Sequence, residues 1–357
     1  MAKKKTSSHD DENIKLAEQL DKEINSEFGD GIVQSADEFL EHPPQIISIS
    51  PSLDIGARGG IPEGSWVISS GPEKCGKTVT ALTFAAKCQR PEYGGRFVYY
   101  FDFEHRLKEM NLRGIKGLNF KLFKRISSVK GKILSAEENL ALVERCVKTH
   151  PNCLCILDST SALCSAKEMT DENSATTRNS GAKLLAQFCR KMSGPVRVNN
   201  CIIWLIQHLI ANTSGYGPSL MEDGGRAVQY VRDTMFRATK VEDWTIGSGE
   251  NVVKIGQKVT WRMITSATGG IPGTLCESYI RYGVGVDDIK EIVEKASNLP
   301  CIHRSGTWYT YQGEAGEIKV QGIDNLRKHF EDNPTDLKKL FEDVYKTYLL
   351  KVPPWPE

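Results

Sequence analysis

Eight residues, Gly71-Pro72-Glu73-Lys74-Cys75-Gly76-Lys77-Thr78, match the pattern G-x-x-x-x-G-K-[ST] at every required position. The spacing suits a polyphosphate. Gly71 and Gly76 let the backbone curl tightly enough for successive N–H groups to point inward, and a helix opening near Lys77 adds its positive dipole end. Lys77 is placed to reach the β- and γ-phosphates and the Thr78 hydroxyl to ligate Mg²⁺. A bare match also arises by chance in Gly/Lys-rich turns, so the flanks decide. Upstream, Trp66-Val67-Ile68-Ser69-Ser70 reads as a short buried strand; downstream, 79–88 is small and apolar enough for a helix against a sheet. Strand, Gly-rich loop and helix is the arrangement the motif requires.

Hydrolysis at such a loop needs a carboxylate for Mg²⁺ or its water shell and a group that orients the attacking water. Leu154-Cys155-Ile156-Leu157-Asp158 is an apolar strand ending in an acid, and Asp158 emerges where parallel sheets place their ligands. The alternative for Asp158 is an ordinary helix cap. Glu104, in Tyr99-Tyr100-Phe101-Asp102-Phe103-Glu104-His105, is the candidate for orienting water. Asp102 alternates to the same face; Glu104 is favoured because it lies beyond the strand end, as an exposed and unpaired acid. A third apolar strand, 202–206, ends in Gln207, whose amide can sense a γ-phosphate. Residues 208–223 then lack periodicity and lead into Gly224-Gly225-Arg226, and a second irregular stretch, 165–175, follows Asp158 in the same way. Long irregular loops inside a compact domain are usually functional or disordered. Two of them, each attached to a nucleotide-site residue, suggest a polymer-binding surface with Lys183, Arg190 and Arg226 nearby. Each of these cations alone could equally be a scattered surface charge.

The elements that must position these residues alternate. Strands are expected at 96–103, 153–157 and 201–206, and helices at 79–88, from Ser135 (a capping box with Glu138) to about Thr149, and at about 176–192. This alternation means a mainly parallel sheet with helices on both faces. Residues 45–66 read as a strand and a Gly/Pro-rich turn. Antiparallel strands are expected at 234–240, 252–255, 259–265 and 276–282. A smaller αβ unit follows from Val286, with a charged helix near 335–350. Residues 1–11 are polar and charged and read as unstructured; Leu16, Leu20, Ile24 and Phe28 then form one stripe of an amphipathic helix stopped by Gly29-Asp30-Gly31.

Composition narrows the class. The chain has 357 residues, 39% hydrophobic and 25% charged, with a net charge of +1, so any nucleic-acid site must be a local patch. No apolar run approaches the ~20 residues needed to cross a bilayer. Met1-Ala2-Lys3-Lys4-Lys5 leads into polar residues, which is no secretory signal. The ten cysteines include no C-x-x-C pair and read as reduced small hydrophobes of a cytoplasmic protein.

These motifs resemble the RecA-type homologous recombinases, the family of bacterial RecA and related phage strand-exchange proteins. The likeness runs from about Ile14 to Leu350. It comprises Ser52-Leu53-Asp54, the 71–78 loop, 101–105, LDSTSAL at 157–163, Gln207, Gly224-Gly225, Tyr282-Gly283-Val284-Gly285, EIVEKA at 291–296 and TWYTYQGE at 307–314. The resemblance implies a DNA-dependent ATPase that uses ATP and Mg²⁺. It implies a helical filament of many copies on single-stranded DNA, exchanging strands with homologous double-stranded DNA. It makes Glu104 the catalytic carboxylate, Asp158 the acid of the Mg²⁺ shell and Gln207 the γ-phosphate switch. The DNA loops would be 165–175 and 208–223, the helix at 14–28 a docking element for the next protomer, and 45–285 the ATPase core between an N-terminal segment, 1–44, and a small C-terminal domain, 286–357.

Three departures stand out. Asn111 replaces the family's adenine-stacking tyrosine. Thr265 and Ala267 replace two lysines that reach the neighbour's ATP, a role open to Lys254, Lys258 or Arg262. The family's acidic C-terminal tail has no counterpart, so regulation through such a tail is not expected. The rival readings are a hexameric helicase on the same core and a DNA-coating protein that binds ATP but scarcely hydrolyses it.

Overall fold

The computed structural model describes residues 6–170, 180–211, 220–222, 225–247, 249–348 and 350–353. The chain divides into two compact units, 1–44 and 45–357. In the first, the helix Thr6–Phe28 begins earlier than composition suggests, and a second helix, Ala36–Glu41, is opened by a Ser35/Glu38 capping box. Leu16, Leu20 and Phe28 on the long helix are exposed.

The second unit is built on a ten-stranded sheet. Its strands in chain order are β1 (Trp66–Gly71), β2 (Val98–Asp102), β3 (Phe123–Ile126), β4 (Leu154–Asp158) and β5 (Ile202–Ala211). They continue with β6 (Leu220–Glu222), β7 (Thr234–Ile246), β8 (Val253–Thr265), β9 (Leu275–Arg281) and β10 (Gly285–Val286). Across the sheet the order is β10-β9-β8-β7-β1-β5-β4-β2-β3, with β6 paired only to the far end of β5. From β3 to β7 the pairings along this path are parallel, and from β7 to β10 antiparallel.

β4 up to Leu157 and residues 202–206 of β5 are apolar throughout because both faces are covered, whereas the edge strand β3 exposes Lys124 and Arg125. Val67, Tyr100, Ile156 and Trp204 pack on one side, where the helix Lys77–Cys88 contributes Leu82 and Phe84. Ile68, Phe101, Leu157 and Leu205 pack on the other, under the helices Ala136–Thr149 and Ser180–Val198. Each buried aliphatic or aromatic side chain contributes roughly 1.5–3 kcal/mol. A third core, including Phe330, Leu340 and Val344, joins the helix Asp288–Ala296 to a three-stranded antiparallel sheet (Ile302–Ser305, Trp308–Gln312, Glu317–Gln321) and the helices Ile323–Asp332 and Pro334–Thr347. All ten cysteines are free thiols and seven are buried, where they pack as small side chains. Among the described residues no helix is long and apolar enough to cross a membrane.

Several local expectations are corrected. Residues 45–66 hold two strands of two residues, Ile46–Ile47 and Ile61–Pro62, around an unexpected helix, Pro51–Ala57. The strands expected at 252–255 and 259–265 are one strand, β8, whose register against β7 shifts between Lys254 and Gly256. The helix expected to end near Met192 runs on to Val198.

Candidate active site

Strand register brings the candidate residues to one edge. β5 lies beside β1 with Ser70 opposite Gln207 and Gly71 opposite His208, while β2 lies beside β4 with Asp102 opposite Asp158. The Gly-rich loop, Gln207, Asp158 and Glu104 therefore leave four neighbouring strands at their carboxyl ends.

Gly76 caps the helix Lys77–Cys88 with φ +89°, and a Cβ there would lie 2.1 Å from Ile280 Cδ1. Only glycine fits that turn. Lys77 is buried, and its ammonium donates to the carbonyls of Gly71 at 2.9 Å and Pro72 at 2.7 Å. A cation sunk in a curled loop at a helix N-terminus suits a polyphosphate.

The Thr78 hydroxyl donates to Asp158 Oδ2 at 2.7 Å, and the Tyr100 hydroxyl donates to the same oxygen. Burial raises the Asp158 carboxyl above its ordinary range, and those two donors only partly offset it. A half-buried carboxylate touching the loop threonine, close to two further acids, suits a divalent cation. The donor set therefore fits both groups that the loop motif implies.

Asp102 and Glu104 are separated by their partners. Asp102 is 1% exposed and accepts from Arg125 at 2.6 Å and from the N–H groups of Arg106 and Leu107 at 3.0 and 3.2 Å, which occupies it structurally. Glu104 lies at the mouth of the cleft, yet it is not the unpaired acid expected. Its Oε1 accepts from Ser159 Oγ at 2.5 Å and lies 2.8 Å from His208 Nε2, and its Oε2 lies 3.3 Å from Arg106. Burial pushes this carboxyl up, but Ser159, His208 and Arg106 together hold it below the usual carboxylate range. Gln207 is buried, with its amide 3.5 Å from Thr160 Oγ1.

The cleft beside these groups measures about 900 Å³ and runs from the loop past Thr78 and Glu104 to Leu107, Met110, Asn111 and Tyr282. It is roomy enough for a nucleotide.

The model of the RecA N-terminal domain matches residues 15–287. The chain belongs to the RecA family. It is 27% identical to protein RecA of Clostridioides difficile (strain 630) over 351 residues, covering 96% of this chain and 94% of that one. It is 28% identical to protein RecA of Acholeplasma laidlawii (strain PG-8A), covering 90% and 93%. Against protein RecA of Streptococcus pyogenes serotype M49 (strain NZ131) the identity is 27%, covering 97% and 88%.

In this RecA-family chain, β5 continues four residues beyond Gln207, and Leu209 to Ala211 pair antiparallel with Leu220 to Glu222. The segment expected as an irregular loop from 208 thus begins as a strand; 212–219 and 223–224, Gly224 included, lie outside the described residues. Gly225 and Arg226 open the helix Gly225–Val231. The 165–175 stretch holds the helix Ala166–Thr170, and 171–175 lie outside the described residues. Lys183 and Arg190 are exposed, two turns apart on the helix Ser180–Val198. Sequence reasoning missed Tyr100, Ser159, Arg106 and His208, whose signal was adjacency to residues already singled out.

Proposed function

We propose that this chain is an ATP-dependent recombinase that assembles on single-stranded DNA in the cytoplasm and exchanges strands with homologous duplex. The observation that carries this reading is the convergence of Lys77, Asp158, Glu104 and Gln207 on four adjacent strand ends, with both candidate DNA segments leaving the same edge. Lys77 turns from its own loop carbonyls to the phosphates. Thr78 and Asp158 hold the cation, which when bound offsets charge on the phosphate oxygens. Glu104 orients water, and Gln207 reads the γ-phosphate from the strand that leads into the longer segment. Phosphate contacts supply most of the DNA affinity, so binding falls with salt.

The exposed apolar stripe of the helix Thr6–Phe28 supports self-assembly. Of the three cations open to the role of the absent lysines, Lys254 pairs with Asp243 at 2.5 Å and Lys258 with Glu277 at 2.7 Å. Arg262 is exposed and forms no ion pair among the described residues, which favours it as the group reaching a neighbour's nucleotide.

The test is ATP hydrolysis with and without single-stranded DNA, with the same samples imaged by electron microscopy. DNA-stimulated turnover together with helical filaments is expected. Filaments without turnover would leave a DNA-coating protein, and rings with turnover a helicase.

A further inference from the structure

His208 is the first residue beyond Gln207 and the last before the antiparallel stem in which Leu209 to Ala211 of β5 pair with Leu220 to Glu222 of β6. Its imidazole Nε2 lies 2.8 Å from Glu104 Oε1, across 104 residues of chain, in a contact whose side chains are 25% and 17% exposed. The second strand of the stem is tied to the same site. Glu222 accepts from Ser70 Oγ at 3.2 Å, one residue before the Gly-rich loop, and from Arg237 Nε at 2.7 Å. Both strands of the stem therefore end on residues next to the phosphate loop or on Glu104 itself.

The contact occupies the carboxylate. A carboxylate whose Oε1 already accepts from Ser159 and faces His208, and whose Oε2 faces Arg106, is less basic than a free one and has fewer lone pairs for a water. Ser159 belongs to the segment after β4, whereas His208 lies on β5, the strand that continues into the stem.

We propose that His208 is a positioning residue that couples the stem at 209–211 and 220–222, which it directly precedes on β5, to Glu104. It holds Glu104 back from water in the arrangement seen here, and a shift of the stem when single-stranded DNA engages it releases the carboxylate. This rests on the reading of Glu104 as the residue that orients water.

The test compares the full-length wild type with His208→Ala and His208→Gln, measuring ATP turnover and KM with and without a thymidine 60-mer. A charge-assisted hydrogen bond is removed in the alanine variant, so DNA-free turnover is expected to rise about tenfold with KM for ATP unchanged. Stimulation by DNA shrinks correspondingly. His208→Gln keeps an N–H donor near the position of Nε2 and is expected to restore the low DNA-free rate, which a merely structural role would not explain. Circular dichroism confirms that each variant folds; if the alanine variant does not, the glutamine variant and His208→Asn, whose shorter amide cannot reach Glu104, carry the comparison. Equal stimulation in all variants, or a fall in both rates in the alanine variant, overturns the coupling alone. A wild type without DNA-stimulated turnover overturns the parent reading as well.

Discussion

Asp54 offers a test of how the second unit is held together. It sits in the helix Pro51–Ala57, wholly buried. Its Oδ1 accepts from the Ile49 N–H at 2.8 Å, and its Oδ2 from Ser48 Oγ at 2.5 Å and from the Tyr345 hydroxyl at 2.9 Å, so it binds the start of the unit to the helix Pro334–Thr347. Burial raises its carboxyl from 3.8 to about 6, against the opposing effects of Lys87 and the three donors. At 1.36 kcal/mol per pH unit, that gap corresponds to about 3 kcal/mol. The native state holds the proton more tightly than the unfolded chain. The associated stability is therefore fully present below pH 4 and is lost as pH rises through about 6. Asp54→Asn keeps the shape and removes the titration. Urea unfolding of both proteins from pH 4 to 8 should show the variant gaining about 3 kcal/mol on the wild type between pH 4 and 7, then a plateau. The difference between the two proteins cancels the other titrating groups. A flat difference would refute the burial argument. A difference that falls with pH would mean that the three donors and Lys87 outweigh burial and stabilise the carboxylate.

Other expectations concern the site. Lys77→Ala removes the buried ammonium and should weaken ATP binding at least tenfold, as for a lost charge-assisted bond of about 1.5–3 kcal/mol, and abolish turnover; retained turnover would refute the placement. Glu104→Gln should bind nucleotide and DNA normally but hydrolyse about 10²–10⁴-fold more slowly, and loss of nucleotide binding would instead reveal a structural role. Gly76→Ala forces a Cβ to within 2.1 Å of Ile280 at a left-handed φ. It should cost about 1–3 kcal/mol in urea unfolding and lower ATP affinity; a variant that binds ATP like the wild type would show that the turn tolerates a side chain.

Which features were legible depended on how local their cause is. The capping box of Ser135 and Glu138 is a contact three residues long, and the helix begins where it says, at Ala136. β4 announces itself because a strand covered on both faces must be apolar throughout. The helix Pro51–Ala57 was illegible because six of its seven residues, Gly56 included, are buried and show no amphipathic period, although Ser50 and Pro51 stand at its N-cap and first turn. Gly194-Pro195 is a local stop signal, yet the helix continues. Phe188, Met192 and Val196 form one buried stripe, and that packing offsets a proline cost of about 3 kcal/mol.

The site divides along the same line. Strand-end position is written in the apolar run before each residue, so Asp158, Glu104 and Gln207 could be picked out one at a time. Their partners are set by register between strands far apart in sequence. Gly71 opposite His208 and Asp102 opposite Asp158 are pairings that no local pattern carries. That is why Glu104 looked like an unpaired acid. The imidazole comes from β5 and the hydroxyl from the residue just after β4, and only the assembled sheet places them on its Oε1. The same distance makes the contact informative. A group brought 104 residues across the chain to the carboxylate transmits whatever moves its own strand, whereas a neighbour in sequence would move with Glu104 itself.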